Sequence, residues 1–368
     1  MMNTIKTAPV VILLVIVLWL SGCQGLSPKS PTIYQAQPTQ IQYDISYGYR
    51  INSSGTGEYD ITYLCNVPSV LLGSAPYSVL FQRDYQTMTL ANNTLVRWNI
   101  SRNDKESFEL GITAHATAEN FIVPDLTGKD AASLDDLLTL SPTVVQEYTH
   151  VQGNKTTVFI DPNNSQISAI AHQVKNTVRT NNSFLLAKAL FVWLKTNLHY
   201  QMHPGSAQVQ PAAITLQRKS GDCDDLSFLY ISLCRSVGIP ARFVRGYLLT
   251  LYQNGTAGAT AHAWSEVYVG NGLGNQGWVP VECACCVNSI TIDVEQNFGV
   301  EDATHLQVFT DDGSNESLTL SLSGITSVSH SLLQHVDMTP FVDVRNVQVL
   351  RSQELVVDSN LVRHYEKP

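Results

Sequence analysis

The sequence lacks clustered positive charge. Its 368 residues contain 22 lysines and arginines against 31 aspartates and glutamates, which gives a formal net charge of -9. No group of basic residues could follow a phosphate backbone, so nucleic acid is not an expected partner. The apolar fraction of 44% is large enough to supply a core for each of two domains.

Charge is also scarce at the N-terminus. Lys6 is the only charged side chain before thirteen uncharged, mostly apolar residues from Ala8 to Leu20, and "LSGC" follows. The run is shorter than the roughly 20 residues of a membrane-spanning helix, so it predicts a signal peptide over residues 1–22, with an uncleaved anchor as the alternative. "LSGC" resembles the lipobox of secreted lipoproteins, which implies a lipid on Cys23 and a protein tethered to the extracytoplasmic side of the cell membrane. The Pro/Ser/Thr/Gln-rich residues 23–40 are then a flexible stalk.

Cysteine is sparse as well. Without Cys23, six cysteines remain: Cys65, Cys223, Cys234, Cys283, Cys285 and Cys286. An even set could pair in an oxidising compartment, but spacing does not assign the bridges, and a reactive Cys223 would leave at least one other unpaired. A zinc site built from the "CACC" stretch and His305 is the alternative to a disulfide or to packing there, but no second Cys or His pair follows at the usual spacing. No metal is therefore expected.

Eight N-x-S/T sequons are compatible with an exported, glycosylated protein, although several would occur by chance in an Asn-rich chain. They lie at Asn52, Asn92, Asn99, Asn154, Asn163, Asn181, Asn254 and Asn315.

The hydrophobic period changes along the chain. Apolar and polar residues alternate between about residues 41 and 120, which predicts a small β-sandwich over residues 41–123. Residues 124–163 are predicted to form a junction with one short helical stretch. From about residue 164 the period becomes helical, and we expect a second, catalytic domain over residues 164–325, followed by C-terminal strands and a tail over residues 326–368.

Residues 220–230, "SGDCDDLSFLY", place Cys223 among three acids at the expected start of a helix. Asp222 fits the N-cap, with Ser220 as the alternative, and Gly238 marks the end. Three strand-like segments follow, "ARFVRGYLL", "AHAWSEVYV" and "GWVPVEC", and a Gly-rich hairpin turn joins the last two. Beyond them, "HLQVFT", "SLTLSLSG" and "VRNVQVLRSQEL" are also predicted strands, and "DDGSNES" is predicted to be a hairpin turn.

Three side chains in this order suit covalent catalysis at an amide carbonyl. The helix dipole and a nearby imidazolium would favour a Cys223 thiolate, although the neighbouring acids work against it. His262 can take up and return a proton near neutral pH, and Glu282 on the partner strand could face His262 and hold its imidazole. The alternative for Cys223 is a buried residue of the core.

The quoted segments, with "GIPAR" between the first and second, resemble the core of transglutaminase-like proteins, a superfamily related to papain-like cysteine proteases. The resemblance covers about residues 165–310. It implies an α+β fold, in which a Cys-bearing helix packs on an antiparallel sheet, here preceded by the β-sandwich. It also implies that Cys223 is the nucleophile, His262 the general base and acid, and Glu282 the third member of a triad.

Other features of the site follow from the same resemblance. The position of Glu282 is more often Asp in the family, and the extra methylene extends the side chain by about 1.5 Å. By analogy with papain-like enzymes, Gln217 or Tyr200 would complete an oxyanion hole with the Cys223 amide. The calcium dependence of eukaryotic members is not expected here.

The implied chemistry is attack on a carboxamide or peptide carbonyl and formation of a thioester acyl-enzyme. Because water is abundant outside the cell, we expect a peptidase or amidase of extracytoplasmic proteins or envelope peptides. A protein-glutamine gamma-glutamyltransferase that crosslinks proteins is one alternative, and a non-catalytic surface binding or assembly module is another. The expected partners are a peptide or protein substrate and, through the lipid anchor, the membrane; no cofactor is expected.

Overall fold

The computed structural model describes residues 30–69, 77–90, 92–202, 209–270, 272–284, 289–322 and 325–368. The predicted signal peptide, Cys23, Cys285 and Cys286 lie outside these ranges, so the expectations about them stay predictions. Within the described ranges, no helix combines the length and the apolar composition needed to cross a membrane.

Helices and strands alternate irregularly along the described residues. The helices are α1 Leu134–Leu140, α2 Pro142–Tyr148, α3 Ser165–Val178, α4 Ser183–Asn197, α5 Ala212–Arg218, α6 Cys223–Ser236, α7 Ile290–Asn297 and α8 Asn315–Leu322. The first ten strands are β1 Thr32–Ile33, β2 Gln37–Gly55, β3 Tyr59–Asn66, β4 Tyr77–Val79, β5 Tyr85–Leu90, β6 Asn93–Arg102, β7 Ser107–Glu119, β8 Phe121–Ile122, β9 Gln152–Gly153 and β10 Val158–Ile160. The others are β11 His199–Tyr200, β12 Ser220–Gly221, β13 Ala241–Leu251, β14 Ala257–Tyr268, β15 Trp278–Val281, β16 Val300–Glu301, β17 His305–Thr310, β18 Ile325–His330, β19 Gln334–Val357 and β20 Arg363–Glu366.

Two sheets form the β-sandwich. One has the strand order β1-β19-β2-β7-β4, with β20 on β19, and the other has the order β18-β3-β6-β5. The period-two pattern fills their interface, because alternate residues such as Tyr43 and Ile45 of β2 and Trp98 of β6 are fully buried. The predicted α+β fold with an N-terminal β-sandwich is therefore confirmed.

The sandwich extends beyond the expected residues 41–123 at both ends. Strands β1 and β2 begin within residues 32–40, so the described part of the expected stalk is not a linker but an edge of the sheet. Strand β18 pairs with β3, and the long β19 pairs with β2 along most of its length. Residues 326–368 are thus an integral part of the sandwich rather than an appended tail. A periodic pattern shows that a strand exists but not which distant strand it pairs with, so the sequence could not reveal this return.

The part of the fold that carries the predicted site is built from a separate four-stranded antiparallel sheet of order β15-β14-β13-β17 and the helices packed against it. Helix α6 is central, and most of its length from Leu226 to Arg235 is buried. Residues of β13 and β17, including Leu249 and Phe309, share one hydrophobic core with the sandwich. The sheet that carries the site therefore rests directly on the sandwich.

One predicted strand is wrong. The described part of "SLTLSLSG", residues 317–322, lies in helix α8, and "DDGSNES" leads into that helix instead of making a hairpin turn. The Ser314 hydroxyl accepts from the Ser317 amide at 3.0 Å, and Leu318 and Leu322, four residues apart, face the core. Alternating Ser and Leu mimic a strand, but the same leucines also satisfy the i, i+4 spacing of a helix.

Candidate active site

Cys223 is the first residue of α6. Asp222 caps the helix: its side chain accepts from the Asp225 amide at 3.5 Å, while the Asp225 carboxylate accepts from the Asp222 amide at 3.2 Å. Gly238, with φ at +91°, follows the last turn. The capping and stop signals in the sequence therefore predicted this helix correctly, with Asp222 rather than Ser220 as the cap.

The surroundings of the Cys223 sulfur oppose its ionisation. Burial raises the pKa of the thiol well above its ordinary value, the charges of Asp224 and Asp222 raise it further, and the backbone amide of Ala263 counteracts this in part by donating to Cys223. Ala263 directly follows His262 in β14, which brings the thiol beside the strand of the proposed base. The position at the helix start thus does not by itself produce a thiolate, contrary to what the dipole alone favours.

His262 and Glu282 are in direct contact. His262 Nε2 lies 2.6 Å from Glu282 Oε2, and the two side chains are only 10% and 11% exposed. The hairpin predicted that Glu282 would lie directly opposite His262, but the structure differs. Gly246 of β13 is the residue opposite His262 on one side. Glu282 follows the end of β15, one residue after the pair Ser265 and Val281. The carboxylate therefore reaches His262 along a diagonal, a span that suits the longer glutamate side chain.

A second imidazole, that of His305 in β17, binds the same carboxylate oxygen. Its Nε2 lies 3.1 Å from Glu282 Oε2, and its Nδ1 lies 3.0 Å from Asp302 Oδ1. Burial opposes protonation of His305, but Asp302 and then Glu282 outweigh it and hold the pKa of His305 well above its ordinary value. His305 is therefore an imidazolium at neutral pH, held between two carboxylates.

The carboxylate of Glu282 is fully engaged. Oε2 accepts from the two histidines, and Oε1 accepts from the Ala284 amide at 2.7 Å. Burial raises the pKa of Glu282, but the charges of His262 and His305 and their hydrogen bonds lower it well below its usual range. Glu282 thus remains ionised at any pH at which the protein is studied, as a group that orients His262 must.

Gly246 helps β17 to approach the site. A Cβ at this position would lie 1.8 Å from the Leu306 carbonyl oxygen, so only glycine permits the close pairing of β13 with β17. Gln307, the residue after Leu306, pairs with Gly246, and His305 lies two positions before Gln307. Close pairing here brings His305 within reach of Glu282.

The same three side chains could hold a metal ion. The ligand atoms of His262, Glu282 and His305 lie within 4.8 Å of one another. They are the one such group among the residues that the structure describes. Each nitrogen already makes a hydrogen bond to Glu282, so a metal would have to displace both N–H protons. His305, weighed in the sequence as a partner of the "CACC" stretch, contacts Glu282 instead.

The two residues predicted for the oxyanion hole lie in different settings. Tyr200 of β11 pairs with Gly221, two residues before Cys223, and is half-buried. Gln217 is exposed on α5. Both assignments stay predictions, and Tyr200 is the one that the backbone pairing holds near the start of α6.

The remaining predicted positions fall into two classes. All eight sequon asparagines lie within the described residues, and each is exposed; they are Asn52, Asn92, Asn99, Asn154, Asn163, Asn181, Asn254 and Asn315. Cys65, Cys223, Cys234 and Cys283 are free thiols, and except for Cys223 they are buried. Burial raises the pKa of both Cys65 and Cys283 to about 12, as is typical of thiols that serve only packing.

Residues 168–283 match the family model of the transglutaminase-like superfamily. The chain carries a transglutaminase-like domain. The match ends at Cys283 and so includes Cys223, His262 and Glu282, whereas His305 lies beyond it. The family is one of cysteine hydrolases and acyltransferases, which the sequence motifs implied.

The fold has a counterpart among solved structures. A candidate cysteine protease from Cytophaga hutchinsonii superposes with a TM-score of 0.50 at 16% sequence identity, over 90% of this chain and all of the other. At this identity the likeness concerns the fold alone. It includes the sandwich as well as the transglutaminase-like domain, because it covers nearly the whole chain.

Sequence relatives share only part of the chain. The Bacillus subtilis protein YebA is 40% identical over 75 residues, which are 18% of this chain and 10% of YebA. The Mycobacterium leprae protein ML0607 is 27% identical over 114 residues, 30% of this chain and 39% of that protein. Both are described as uncharacterized, so the likeness identifies a shared segment and no particular substrate.

One residue at the site was not revealed as such by the motifs, and it lies beyond the matched segment. His305 belongs to a segment, "HLQVFT", with an ordinary strand pattern, and it is separated from Glu282 by 22 residues of other structure. The only signal in the sequence was the longer side chain of Glu282 at a position that is more often Asp. Its extra reach serves a carboxylate that bridges two histidines.

Proposed function

We propose that this protein is a cysteine peptidase or amidase that uses Cys223 as nucleophile, His262 as general base and acid, and Glu282 as the group that orients His262. The observation that carries the proposal is the contact of 2.6 Å between His262 and Glu282. The residue after His262 donates its amide to Cys223, at the start of a well-capped helix. This is the arrangement that amide cleavage through a thioester requires.

The reaction begins from a neutral thiol. Because burial and two aspartates raise the pKa of Cys223, the proton leaves as the sulfur attacks the carbonyl carbon and passes to His262. Nε2 of His262 is engaged by Glu282, so Nδ1 is the nitrogen that accepts the proton. The carbon–nitrogen bond then breaks, His262 protonates the leaving amine, and a thioester to Cys223 remains.

Deacylation reverses these roles. Water gives a proton to His262 as its oxygen attacks the thioester carbonyl, the carbon–sulfur bond breaks, and the proton returns to the sulfur. The amide of Cys223 at the first turn of α6 would stabilise the oxyanion in both steps, with Tyr200, whose backbone pairs with Gly221, as the proposed second donor. Glu282 keeps its charge throughout and stabilises the imidazolium form of His262.

The place of action that we propose is the extracytoplasmic face of the cell membrane. The uncharged run from Ala8 to Leu20 and the "LSGC" sequence support export and a lipid on Cys23. Eight exposed sequons are compatible with that location. Mass spectrometry of the purified N-terminus would test it, because an unmodified Met1 would contradict both cleavage and lipidation.

Hydrolysis and amine transfer can be separated in one experiment. We expect the full-length protein to release new amino termini from a quenched fluorescent casein, and expect Cys223→Ala and His262→Ala to abolish this release. Cys234→Ala, a buried thiol near the end of α6, is the matched control and should retain it. Activity retained in Cys223→Ala would refute the assignment.

A fluorescent primary amine in the same reaction tests the alternative acceptor. Incorporation into casein that exceeds hydrolysis would identify a crosslinking transferase instead. If neither product forms under any condition, the binding or assembly module becomes the better assignment.

A further inference from the structure

A cleft opens between the sandwich and the catalytic sheet, beside the strand that carries His262. Its volume is about 450 Å³, within the usual range for small-molecule and peptide side-chain pockets. The cleft is lined by Ala261, which precedes His262, and by Gly246, which pairs with His262. A substrate held in this cleft would therefore extend to the catalytic centre.

The walls of the cleft are aromatic. Tyr47 of the sandwich and Tyr247 of β13 pack in a tilted arrangement with ring centroids 4.9 Å apart. Tyr49 and Tyr63 form a second pair at 5.3 Å. Aromatic rings of this kind bury apolar or planar groups of a ligand at a low entropic cost. The sandwich thus supplies one wall of the site.

The charged residue among those that line the cleft is Arg245. It is half-buried, and among the residues that the structure describes it has no hydrogen bond or ion-pair partner. Arg242, three positions earlier on the same strand, differs: it contacts Glu266 at 2.6 Å and stacks over Trp278 at 3.9 Å. A half-buried guanidinium whose donors no described residue uses is available to bind an anionic group of a ligand.

Arg245 also lies close to the nucleophile. In the β13–β14 ladder it is opposite Ala263, the residue whose amide donates to Cys223, and opposed residues share a face of the sheet. Its charge is felt at two further points. Burial raises the pKa of Asp224, beside Cys223, and Arg245 opposes that rise. Burial also raises the pKa of Tyr247, which Arg245 again opposes. The guanidinium therefore stands between the tyrosine wall and the start of α6.

We propose that this cleft binds the acyl-donor substrate and that Arg245 selects peptides with a carboxylate next to the scissile amide, beside an apolar side chain. The proposal rests on the proposed function, because it names the substrate class of the same site. Arg245 would make charge-assisted hydrogen bonds to the carboxylate, and the tyrosines would cover the apolar side chain. Asp224 is next to Cys223 and would repel a carboxylate, so we expect the ligand to approach from the side of the tyrosines.

Two alkylating probes of equal size test the selectivity. They are the C-terminal amides of N-iodoacetyl-Leu-Glu and N-iodoacetyl-Leu-Gln, which differ only in a carboxylate; in both, the Cys223 sulfur displaces iodide. We expect the acidic probe to modify Cys223 of the full-length protein about tenfold faster or more, as suits one charge-assisted hydrogen bond. Arg245→Met should reduce the ratio to about one and Arg245→Lys should retain part of it, while Arg97→Met, an exposed arginine outside the cleft, should preserve it.

The outcomes distinguish the two proposals. Equal rates for the two probes, with measurable modification of Cys223 by plain iodoacetamide, would overturn the role of Arg245 and leave the proposed nucleophile intact. Failure of every reagent to modify Cys223 would count against the proposed function itself. As a check that does not depend on folding of a variant, N-acetyl-Leu-Glu amide should protect wild-type Cys223 from iodoacetamide better than the glutamine analogue does; equal protection would also overturn the proposal.

Discussion

The contact between Glu282 and His305 makes a quantitative prediction that needs no substrate. The two side chains are 11% and 7% exposed, and their atoms lie 3.1 Å apart. We expect Glu282→Gln and His305→Gln each to lower the free energy of unfolding by about 2 kcal/mol or more, because each removes one partner from a buried charge. The double variant should lose less than the sum of the two.

The expected coupling energy follows from the type of hydrogen bond between Glu282 and His305. A hydrogen bond between charged groups contributes about 1.5–3 kcal/mol, so the coupling energy of the double-mutant cycle should be about 2 kcal/mol. Urea unfolding of the four proteins, followed by circular dichroism, gives all the values. Additivity to within about 0.5 kcal/mol would refute the contact, since that is what independent sites show.

The pH dependence of this coupling has a definite sign. The folded-state pKa of His305 is raised above its ordinary value of 6.5, so its contribution is complete below that value and is lost as the pH rises through the folded-state pKa. The pKa of Glu282 is lowered from 4.5, so its contribution is complete above that value and is lost as the pH falls through the lowered pKa. The coupling should therefore be largest near pH 5–6 and fall at alkaline pH.

Other titrating groups lie close by. Asp302 also binds His305, and burial raises the pKa of Glu301 to about 7. Both are present in all four proteins of the cycle, so to first order their contributions cancel. The matched control is the pair His364 and Glu366, which are 2.7 Å apart but 50% and 57% exposed. The same substitutions there should show a coupling close to zero, because water screens exposed pairs.

Two further changes test other parts of the structure. Asp224→Asn removes a charge that raises the pKa of Cys223. Because one pKa unit is a tenfold change in thiolate, iodoacetamide should modify Cys223 of this variant several-fold faster at pH 7. Asp337→Asn at an exposed position is the control, and an unchanged rate in Asp224→Asn would contradict the assigned cause. Arg363→Met should lower the free energy of unfolding by about 3 kcal/mol or more in a urea titration, because Arg363 is 1% exposed and donates to the main-chain carbonyls of residues 123, 295, 298 and 299. Arg351→Met at an exposed position should be nearly neutral, and equal stabilities of the two variants would rule out this role.

The local features of the chain could be predicted from its sequence. Helix α6 begins and ends where Asp222 and Gly238 indicate, and β2 buries every second residue from Ile41 to Tyr47. Signals of this kind depend on neighbours within a few residues, so the α+β class and the transglutaminase-like core were both accessible. The catalytic roles of Cys223 and His262 stay predictions, since geometry shows contacts and not turnover.

Long-range features could not be predicted in the same way. The contact of Glu282 with His305 joins β15 to β17, and Arg245 becomes notable only because nothing within the described structure satisfies it. The first depends on the order of strands in a sheet, and the second on which partners are absent after folding. Neither leaves a periodic signal in the sequence.

The return of the C-terminal segment connects the fold to the proposed specificity. Strand β19 runs along β2, and its residues Pro340, Phe341 and Val342 line the same cleft as Arg245. A cleft built from the sandwich, from β19 and from the sheet that carries His262 can exist only when β19 has paired with β2. The sandwich therefore forms half of the proposed substrate site, and selectivity for the acyl donor should depend on it as much as the chemistry depends on Cys223.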